Sequence, residues 1–349
     1  MVSDRSADLI WVNVVVGGRG HPARVTPRWQ RLAGWLGALA WLTGPLCAGP
    51  DRPRAVITEV IAAEHGRLEW HYEGRKLLTY AFATNQFKPY VQELFTLAGD
   101  NVLRDAPADH RHHHGLMYAI RINDVNFWEE VNQPGHQRHV KLLGRRTGHG
   151  RDGLPQARFT ELIHWLPADA HPTRSTKREA FLVERRTLEL TVDEARQEVA
   201  LAWHAEFEVG GRALRVLLNG ADYNGLGLRL PANWDRVARH ENSEAAPYLT
   251  QGQRDVFPAR WASVAHEWDG RSAQVVLGAR PAGQAGTSTF FSMTQPFTYL
   301  AATQGLDQAP LEYRSGDRFA LDYLVLAYPV AHAPAELTAR FERWAKGLK

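Results

Sequence analysis

The stretch from residue 199 to residue 209, VALAWHAEFEV, constrains the fold more than any other part of the chain. Its large apolar side chains fall on one face of an extended chain, and its polar side chains fall on the other. The apolar face is formed by Val199, Leu201, Trp203, Phe207 and Val209, and the polar face by His204, Glu206 and Glu208. This period of two is typical of an antiparallel strand with one buried and one solvated side. The chain must therefore supply a sheet and a second layer that covers it.

Short strands separated by glycine and proline turns recur along most of the chain. Residues 67–72 and 76–82 flank the turn Glu73-Gly74 and predict a hairpin. Residues 181–191 are expected to pair with the strand at 199–209. Further strands are expected at residues 159–165, 273–277, 288–293, 299–303 and 319–328, whereas residues 145–156 and 233–254 are polar enough to be loops.

One segment has a helical pattern. Residues 334–348 place Leu337, Phe341 and Trp344 at i, i+4 and i+7. Many strands followed by one helix predict an all-β fold, a large antiparallel β-sandwich with a short C-terminal helix.

The first 48 residues differ in kind from the rest. A basic segment at residues 25–31, an apolar run at 32–46 and the small residues Ala48 and Gly49 follow the order of a secretory signal. A membrane anchor is the alternative. We expect residues 1–48 to be an untranslated extension, up to residue 24, plus the signal or anchor, and residues 49–349 to be one sandwich domain. The mature protein is then periplasmic or secreted, with no stable membrane insertion.

The basic balance of the chain comes from this leader. The whole sequence carries 41 basic and 38 acidic residues, and removing residues 1–48 leaves 36 of each. A neutral domain has no global attraction to nucleic acid, so we expect no nucleic-acid partner. Cys47 is the only cysteine, which excludes a disulfide framework and thiol chemistry.

The segment DHRHHH at residues 109–114 is the densest cluster of chemical groups. Histidine is the commonest metal ligand and the side chain best suited to proton transfer near neutral pH. In an extended segment His110, His112 and His114 would share one side, and a turn would break that grouping. A metal site on His110 and His112 lacks a carboxylate at a recognisable offset, so a divalent metal is possible but no cofactor is expected. The alternative is a structural role, in which each histidine is solvated or forms hydrogen bonds with buried backbone groups.

Glu130 is the acid of greatest interest because it lies close to Trp128 in the sequence. Desolvation beside an indole raises the pKa of a carboxyl group and suits it to acid or base catalysis. A surface charge at a strand end is the alternative. Tryptophans 128, 234 and 261 are candidate sugar-stacking platforms, with packing as the default.

The sequence DYNGLGLR at residues 222–229 has the glycines of a phosphate loop. No Lys-Ser/Thr pair follows, so a bend in a strand fits better. The bend would direct Arg229 toward a pocket.

Several of these motifs together resemble a known bacterial family. They are VLRDAP at 102–107, DHRHHHG at 109–115, VNFWEE at 125–130, YNGLGLR at 223–229, RWASV at 260–264 and FALDYLVLAY at 319–328. The chain resembles DUF6807, a family often labelled PmoA or methane oxygenase. The resemblance marks Arg104, Asp105, Asp109, His110, His112, His113, Trp128, Glu130, Tyr223, Gly225 and Arg229. It departs at Arg111 and His114, so His114 is not expected to be functional.

The resemblance implies a secreted β-sandwich often encoded near sugar oxidoreductases and sugar-processing lyases. It supplies no established reaction. The methane oxygenase label conflicts with the sequence, because such a membrane subunit needs several apolar helices of about 20 residues. The sequence after Gly49 contains none.

Our leading hypothesis is a carbohydrate-active enzyme with a supersandwich like that of galactose mutarotases. One of His110, His112 and His113 would act as general acid, with Glu130 or Asp109 as base or as the group that orients the histidine. Arg104 and Arg229 would hold hydroxyls or a carboxylate of a sugar or modified glycoside. Asp105, Trp128 and Tyr223 complete the expected substrate site. Epimerisation, elimination and hydrolysis all remain open.

Two other classes of function are alternatives to this hypothesis. A non-catalytic glycan-binding module would bind through its tryptophans and use the histidines structurally. A metal-dependent lyase or oxygenase would use two of the histidines as ligands.

Overall fold

The structure is a computed structural model that describes residues 54–170, 176–244, 254–280 and 288–347. The predicted extension and signal sequence lie outside these residues. Within them, every helix is too short or too polar to cross a bilayer.

The described residues form 21 strands and one α-helix, numbered here in chain order. The strands are β1 (Ile57–Ala62), β2 (Arg67–Tyr72), β3 (Arg75–Ala81), β4 (Tyr90–Leu94), β5 (Leu116–Ala119), β6 (Arg121–Ile122), β7 (Val125–Asn126), β8 (His136–His149), β9 (Pro155–Leu166), β10 (Leu182–Asp193), β11 (Glu198–Val209), β12 (Arg215–Asn219), β13 (Gly225–Arg229), β14 (Arg239–Asn242), β15 (Arg254–Ala259), β16 (Trp261–Trp268), β17 (Arg271–Arg280), β18 (Ser288–Met293), β19 (Tyr299–Thr303), β20 (Leu311–Arg314) and β21 (Arg318–Tyr328). The helix α1 spans Pro334–Gly347, and single 3-10 turns occur at Ala63–His65 and Ala232–Trp234.

Two large antiparallel sheets make up most of the fold. The nine-stranded sheet has the order β1-β2-β3-β4-β5-β13-β19-β18-β15, and the eight-stranded sheet has the order β14-β16-β17-β21-β11-β10-β9-β8. A four-stranded sheet, β20-β12-β6-β7, accompanies them. The predicted partners pair as expected, with Leu188 opposite Trp203 in β10 and β11.

The main core lies between the two large sheets. Aromatic rings join them directly: Trp70 of β2 lies 5.4 Å from Phe159 of β9, and Tyr118 of β5 lies 5.8 Å from Trp165 of β9. Burial of these rings on both inner faces is what holds a sandwich together. The all-β class and the sandwich are therefore confirmed.

The two outer faces of the sandwich differ. On the eight-stranded sheet α1 buries Leu337 and Phe341 against an apolar patch that includes Trp261 and Val276. On the nine-stranded sheet no helix of the described chain covers the outer face. That face instead carries an aromatic patch, formed by Tyr90, Trp128, Phe291, Phe297 and Tyr299 among others.

Both loop predictions are wrong in part. Residues 233–254, expected to be a loop, include β14 (Arg239–Asn242), which pairs with β16. Residues 145–156, expected to be a loop, continue β8 as far as His149 and begin β9 at Pro155. The strand is polar because β8 is the edge of its sheet, so pairing with β9 rather than apolar composition determines its structure.

Candidate functional site

The histidine segment lies before β5, at the outer face of the nine-stranded sheet. Two consecutive turns fold it: the amide of His110 donates to the carbonyl of Pro107 and the amide of His113 donates to the carbonyl of His110, both at 2.9 Å. The amide of Ala106 closes the loop onto the carbonyl of His113. The segment is therefore turned, and the grouping expected for an extended chain is not formed.

The turns bring three imidazole rings together. The ring of His113 lies 4.8 Å from that of His110 and 4.6 Å from that of His112, and His110 and His112 are 5.8 Å apart. His114 points elsewhere, into a group of carboxylates. The segment thus contributes to two adjacent clusters.

His114 is the centre of the first cluster. Its Nδ1 lies 2.9 Å from Asp105 and its Nε2 lies 3.0 Å from Glu130. The ring stacks on Tyr90 with centroids 4.2 Å apart. Burial alone would lower the pKa of His114, but hydrogen bonds to the two carboxylates raise it above its usual value. His114 is therefore held as a cation with both nitrogens in use.

A buried lysine completes this ionic cluster. The Nζ of Lys88, whose side chain is 1% exposed, lies 2.7 Å from Glu130 and 3.1 Å from the carbonyl of Trp128. Burial by itself would raise the pKa of Glu130, but the hydrogen bond of His114 and the charge of Lys88 lower it to about 2. The expected raised pKa of Glu130 is wrong, because two cations outweigh desolvation by the indole.

Asp105 also uses its oxygens within the protein. Besides His114, it accepts hydrogen bonds from Gln92 at 2.9 Å and from the Tyr90 hydroxyl at 3.2 Å. The predicted substrate ligand Asp105 therefore lies in the site, with its oxygens already occupied by neighbouring side chains.

Arg229 dominates the second cluster. Its side chain is 1% exposed and lies with the guanidinium carbon 3.6 Å from the centre of the Phe297 ring. Its ion pair is with Asp109 at 3.6 Å, while Nε and Nη1 are buried without a hydrogen-bond partner among the described residues. Burial lowers the pKa of Arg229 to about 10. A buried guanidinium with unused donors is costly unless a ligand or water satisfies them.

Two further buried polar atoms beside Arg229 have unused hydrogen-bonding capacity. The hydroxyl of Tyr299, directly opposite Arg229 across β13 and β19, and Nδ1 of His113 have no partner among the described residues. A side chain at Gly227 would place its Cβ 1.7 Å from the Tyr299 hydroxyl, so only glycine leaves room for that ring. Burial, reinforced by the neighbouring His112, lowers the pKa of His113 to about 2, so it is neutral.

His110 is positioned for proton transfer. Its Nδ1 lies 2.9 Å from Asp109, and its ring is 4.7 Å from Phe297, the ring that covers Arg229. Its Nε2 has no hydrogen-bond partner in the described chain. A carboxylate on one nitrogen orients the ring and leaves the other nitrogen to exchange a proton.

The remaining predicted residues surround these clusters. Arg104 is a third exposed and faces Asp235 at 3.9 Å, and its amide donates to the carbonyl of Arg229. Tyr223 packs edge-on to Trp128 at 5.3 Å. His112 is half-buried, and burial lowers its pKa.

The prediction that three tryptophans are sugar-stacking platforms is wrong. Trp128, Trp234 and Trp261 are 2%, 1% and 0% exposed, so no sugar ring can stack on them. Trp128 supports the site from beneath, with its ring against His113 and Tyr299.

The arrangement of potential metal ligands in the described chain does not favour a metal centre. Among the residues that the structure describes, no group of three or more His, Cys, Asp or Glu side chains is arranged to hold an ion. The pair of His110 and His112, proposed from the sequence, does not acquire a third ligand there.

Sequence reasoning missed several residues of the site. The sequence analysis does not expect His114 to be functional, and no motif indicates Lys88, Tyr90, Phe297 or Tyr299. Lys88 is 42 positions from Glu130 in the chain, and no local pattern links the two. The one available signal is a lysine close to two aromatic residues in FKPY, residues 87–90.

Comparison with known proteins gives the family. A model of a family of unknown function, DUF6807, matches residues 67–342. The chain belongs to this family. No curated protein matches it.

The chain is also similar to several solved structures, at low sequence identity. A GH36 α-galactosidase, AgaB, from Geobacillus stearothermophilus has 11% identity and a TM-score of 0.45, over 78% of this chain and 41% of that one. A putative aldose 1-epimerase from Klebsiella pneumoniae has 13% identity and a TM-score of 0.39, over 80% and 83%. A galactose mutarotase related enzyme from Lactobacillus acidophilus has 9% identity and a TM-score of 0.36, over 72% and 95%. This chain thus spans less than half of the α-galactosidase.

Proposed function

We propose that the protein is a periplasmic or secreted carbohydrate-active enzyme that moves a proton on a sugar or modified glycoside at the outer face of the nine-stranded sheet. The observation that carries the proposal is the convergence of His110, an imidazole oriented by a carboxylate, with buried donors of Arg229 and Tyr299 that have no hydrogen-bond partner among the described residues. Such a convergence of an acid–base group with unsatisfied polar atoms is typical of a site that takes a polar ligand.

The role that we propose for each side chain follows from its contacts and, for His113 and Glu130, from its protonation state. His110 exchanges the proton, and Asp109 holds its ring. His113 is neutral, and offers a hydrogen-bonding nitrogen rather than a charge. The charged cluster of His114, Glu130 and Lys88 fixes the floor of the site, because its members already satisfy one another.

Arg229 supplies the electrophilic contribution. In the described chain Nε and Nη1 of Arg229 have no partner. They lie on different edges of the guanidinium, so they would donate to two separate oxygens, one to a carboxylate or carbonyl oxygen and the other to a hydroxyl. The carboxylate or carbonyl acidifies the adjacent C–H bond, and the charge that develops on its oxygen during proton removal is stabilised by Arg229. A sugar acid or keto sugar therefore fits the donors better than a simple glycoside.

Proton abstraction is favoured over glycoside hydrolysis. Hydrolysis ordinarily uses two carboxyl groups, one of which must be protonated to act as acid. Here Glu130 has a pKa lowered to about 2 and Asp109 also has a lowered pKa, through its hydrogen bond with His110. His110 would take the proton through Nε2. In epimerisation, water supplies a proton to the opposite face of the carbon and His110 releases its proton to solvent. In elimination, the C–H electron pair enters a double bond, and the neighbouring oxygen substituent leaves with a proton from His110.

The proposed reaction has a direct test. Purified protein is incubated in D₂O with hexuronates, aldonates and keto sugars, and proton NMR follows loss of the C–H signal next to the acid or carbonyl. Exchange, epimer formation or a new vinyl signal is the expected result. His110→Gln should abolish it.

His204→Gln is the matched control. His204 forms a similar pair, with Nδ1 2.7 Å from Asp322, and is 39% exposed against 35% for His110. It lies in β11, in the other large sheet, so this variant should keep full activity. If no member of the panel exchanges, or if both variants retain exchange, the proposed function is wrong.

A further inference from the structure

A cavity of about 720 Å³ opens at the side of the sandwich, far along the chain from the histidine segment. It lies where β1, the edge of the nine-stranded sheet, meets β8, the edge of the other sheet. Arg145 of β8 pairs with Glu59 of β1 at 2.6 Å and braces this seam. The volume falls within the range of small-molecule sites.

Two irregularities in β8 shape the cavity. The register with β9 shifts between His139 and Lys141 and again between Leu142 and Gly144. Such bulges redirect side chains. His139 and Leu142, one at each bulge, both line the cavity.

The opposite wall depends on a close backbone approach. Gly66 has φ +59°, and a Cβ there would lie 2.2 Å from the Cα of Ala83. The carbonyl of Gly66 accepts a hydrogen bond from the amide of Phe82 at 2.7 Å. A glycine is required at this point, and the segment after β3 can then form the wall.

His139 couples the cavity to buried charge. Its Nδ1 lies 2.5 Å from Glu161, which is 0% exposed and also accepts a hydrogen bond from the hydroxyl of Tyr80. The guanidinium of Arg186 in turn donates to that hydroxyl. The Nε2 of His139 has no hydrogen-bond partner among the described residues.

The charges around the cavity are balanced in pairs. Arg186 pairs with Glu184, and Glu161 contacts His139. Arg145 is matched by Glu59, and Glu64 lies 3.7 Å from His65. The cavity therefore presents a hydrogen-bonding nitrogen, Nε2 of His139, beside apolar side chains, and its lining arginine, Arg145, is paired with Glu59.

We propose that this cavity is a second binding site, which takes a neutral saccharide unit. The Nε2 of His139 forms a hydrogen bond with a hydroxyl of the sugar, and Ile61, Leu142 and Phe82 cover its apolar C–H face. Thr84 and Asn85 offer polar groups at the rim. A ligand with hydroxyls on its edge and C–H groups on its faces fits this mixture, and a charged one does not. The assignment does not depend on the reaction proposed for the outer face.

Binding is tested with methyl glucoside, methyl galactoside, lactose and maltose, and with glucuronate and glucosamine as charged probes. Saturation-transfer NMR detects binding, and calorimetry gives the dissociation constant. His139→Gln and Leu142→Trp should each weaken binding of a neutral sugar at least about tenfold. Leu143→Trp is the matched control, since Leu143 is 36% exposed and does not line the cavity.

The outcomes separate the two sites. Retention of neutral-sugar binding by Leu143→Trp and His110→Gln, with loss in the two cavity variants, supports the second site. Loss in His110→Gln with retention in Leu142→Trp overturns it, because the sugar then occupies the outer face alone. Absence of binding to the unmodified protein, or preference for a charged probe, also overturns it. Thermal melting of each variant shows that a loss of binding is not a loss of fold.

Discussion

Two arginines are buried to the same extent and are used in opposite ways. Arg186, in the core between the sheets, is 0% exposed, and Arg229, on the outer face, is 1% exposed. Arg186 donates two hydrogen bonds to Glu184 and others to Tyr80, the carbonyl of Pro89 and Gln137. Arg229 has two nitrogens without a partner in the described chain and one distant carboxylate.

Their protonation follows the same division. Burial alone would lower the pKa of both. Glu184 reverses this for Arg186, whose pKa is raised, whereas the pKa of Arg229 falls to about 10. A guanidinium whose donors are all used belongs to the architecture, whereas one with donors that have no partner in the described chain can bind a ligand or a water that reaches it. The contrast gives a physical criterion for separating structural from functional charge in this protein.

The largest expected effect is on the core arginine. Arg186→Met leaves Glu184 buried without the arginine that pairs with it, so the free energy of unfolding should fall by about 3–5 kcal/mol. Urea denaturation followed by tryptophan fluorescence measures the loss. A loss below about 1 kcal/mol would show that the network around Arg186 contributes no more than a surface ion pair.

Arg229→Met should show the reverse pattern. Asp109, its partner, is 52% exposed and remains solvated, so the free energy of unfolding should change by less than about 1 kcal/mol. Turnover of the substrate identified by proton exchange should fall about 100-fold, or about 2.7 kcal/mol in transition-state stabilisation. A variant that loses stability as Arg186→Met does, with turnover intact, would place Arg229 in the architecture and remove the contrast.

The ionic cluster of His114, Glu130 and Lys88 predicts that the free energy of unfolding depends on pH in both the acidic and the near-neutral range. Glu130 has its pKa lowered from 4.5 to about 2, so its stabilisation is present above pH 4.5 and is lost as the pH falls toward 2. His114 has a raised pKa, so its stabilisation is present below pH 6.5 and is lost as the pH rises through that raised value.

The double variant Lys88→Met/Glu130→Gln isolates the acid limb without leaving a buried charge alone. His113 also loses stability on acidification, because its pKa is lowered from 6.5 to about 2, but it contributes to both proteins. The difference between unmodified protein and double variant should therefore shrink by on the order of 2 kcal/mol between pH 5 and pH 2, as measured by urea denaturation. Parallel curves for the two proteins would contradict the assigned protonation of Glu130.

Sequence patterns predicted the sandwich because many of its core strands carry their own signal, although β4, β5 and β16 were not predicted. β18 and β19 begin and end at the expected residues, since apolar side chains and bounding turns mark them locally. The polar edge strand β8 was missed because its structure comes from pairing with β9. Position in the sheet, which a local window does not contain, decides such cases.

The site was predictable only in part for the same reason. His110, Asp109 and Arg229 stood out as polar groups in motifs, and the structure brings them together. The role of His114 depends on Asp105 and Glu130 meeting across two loops. The nearness of Trp128 in the sequence predicts a raised pKa for Glu130. This prediction is wrong because Lys88, which is 42 positions away in the chain, contacts Glu130 in the folded protein.

Asp109→Asn has the smallest expected effect on stability and is the finest test of the contrast between structural and functional charge. Asp109 is exposed, and its hydrogen bond with His110 lowers its pKa. Removing its charge should change the free energy of unfolding by about 0–1 kcal/mol. As a positioning residue, it should affect kcat about tenfold and leave KM unchanged, because it orients His110 and the ligand binds to Arg229. Asp109→Glu should restore part of kcat. If KM rises instead and the glutamate fails to restore kcat, Asp109 binds the ligand or shields Arg229, and His110 is not oriented through it.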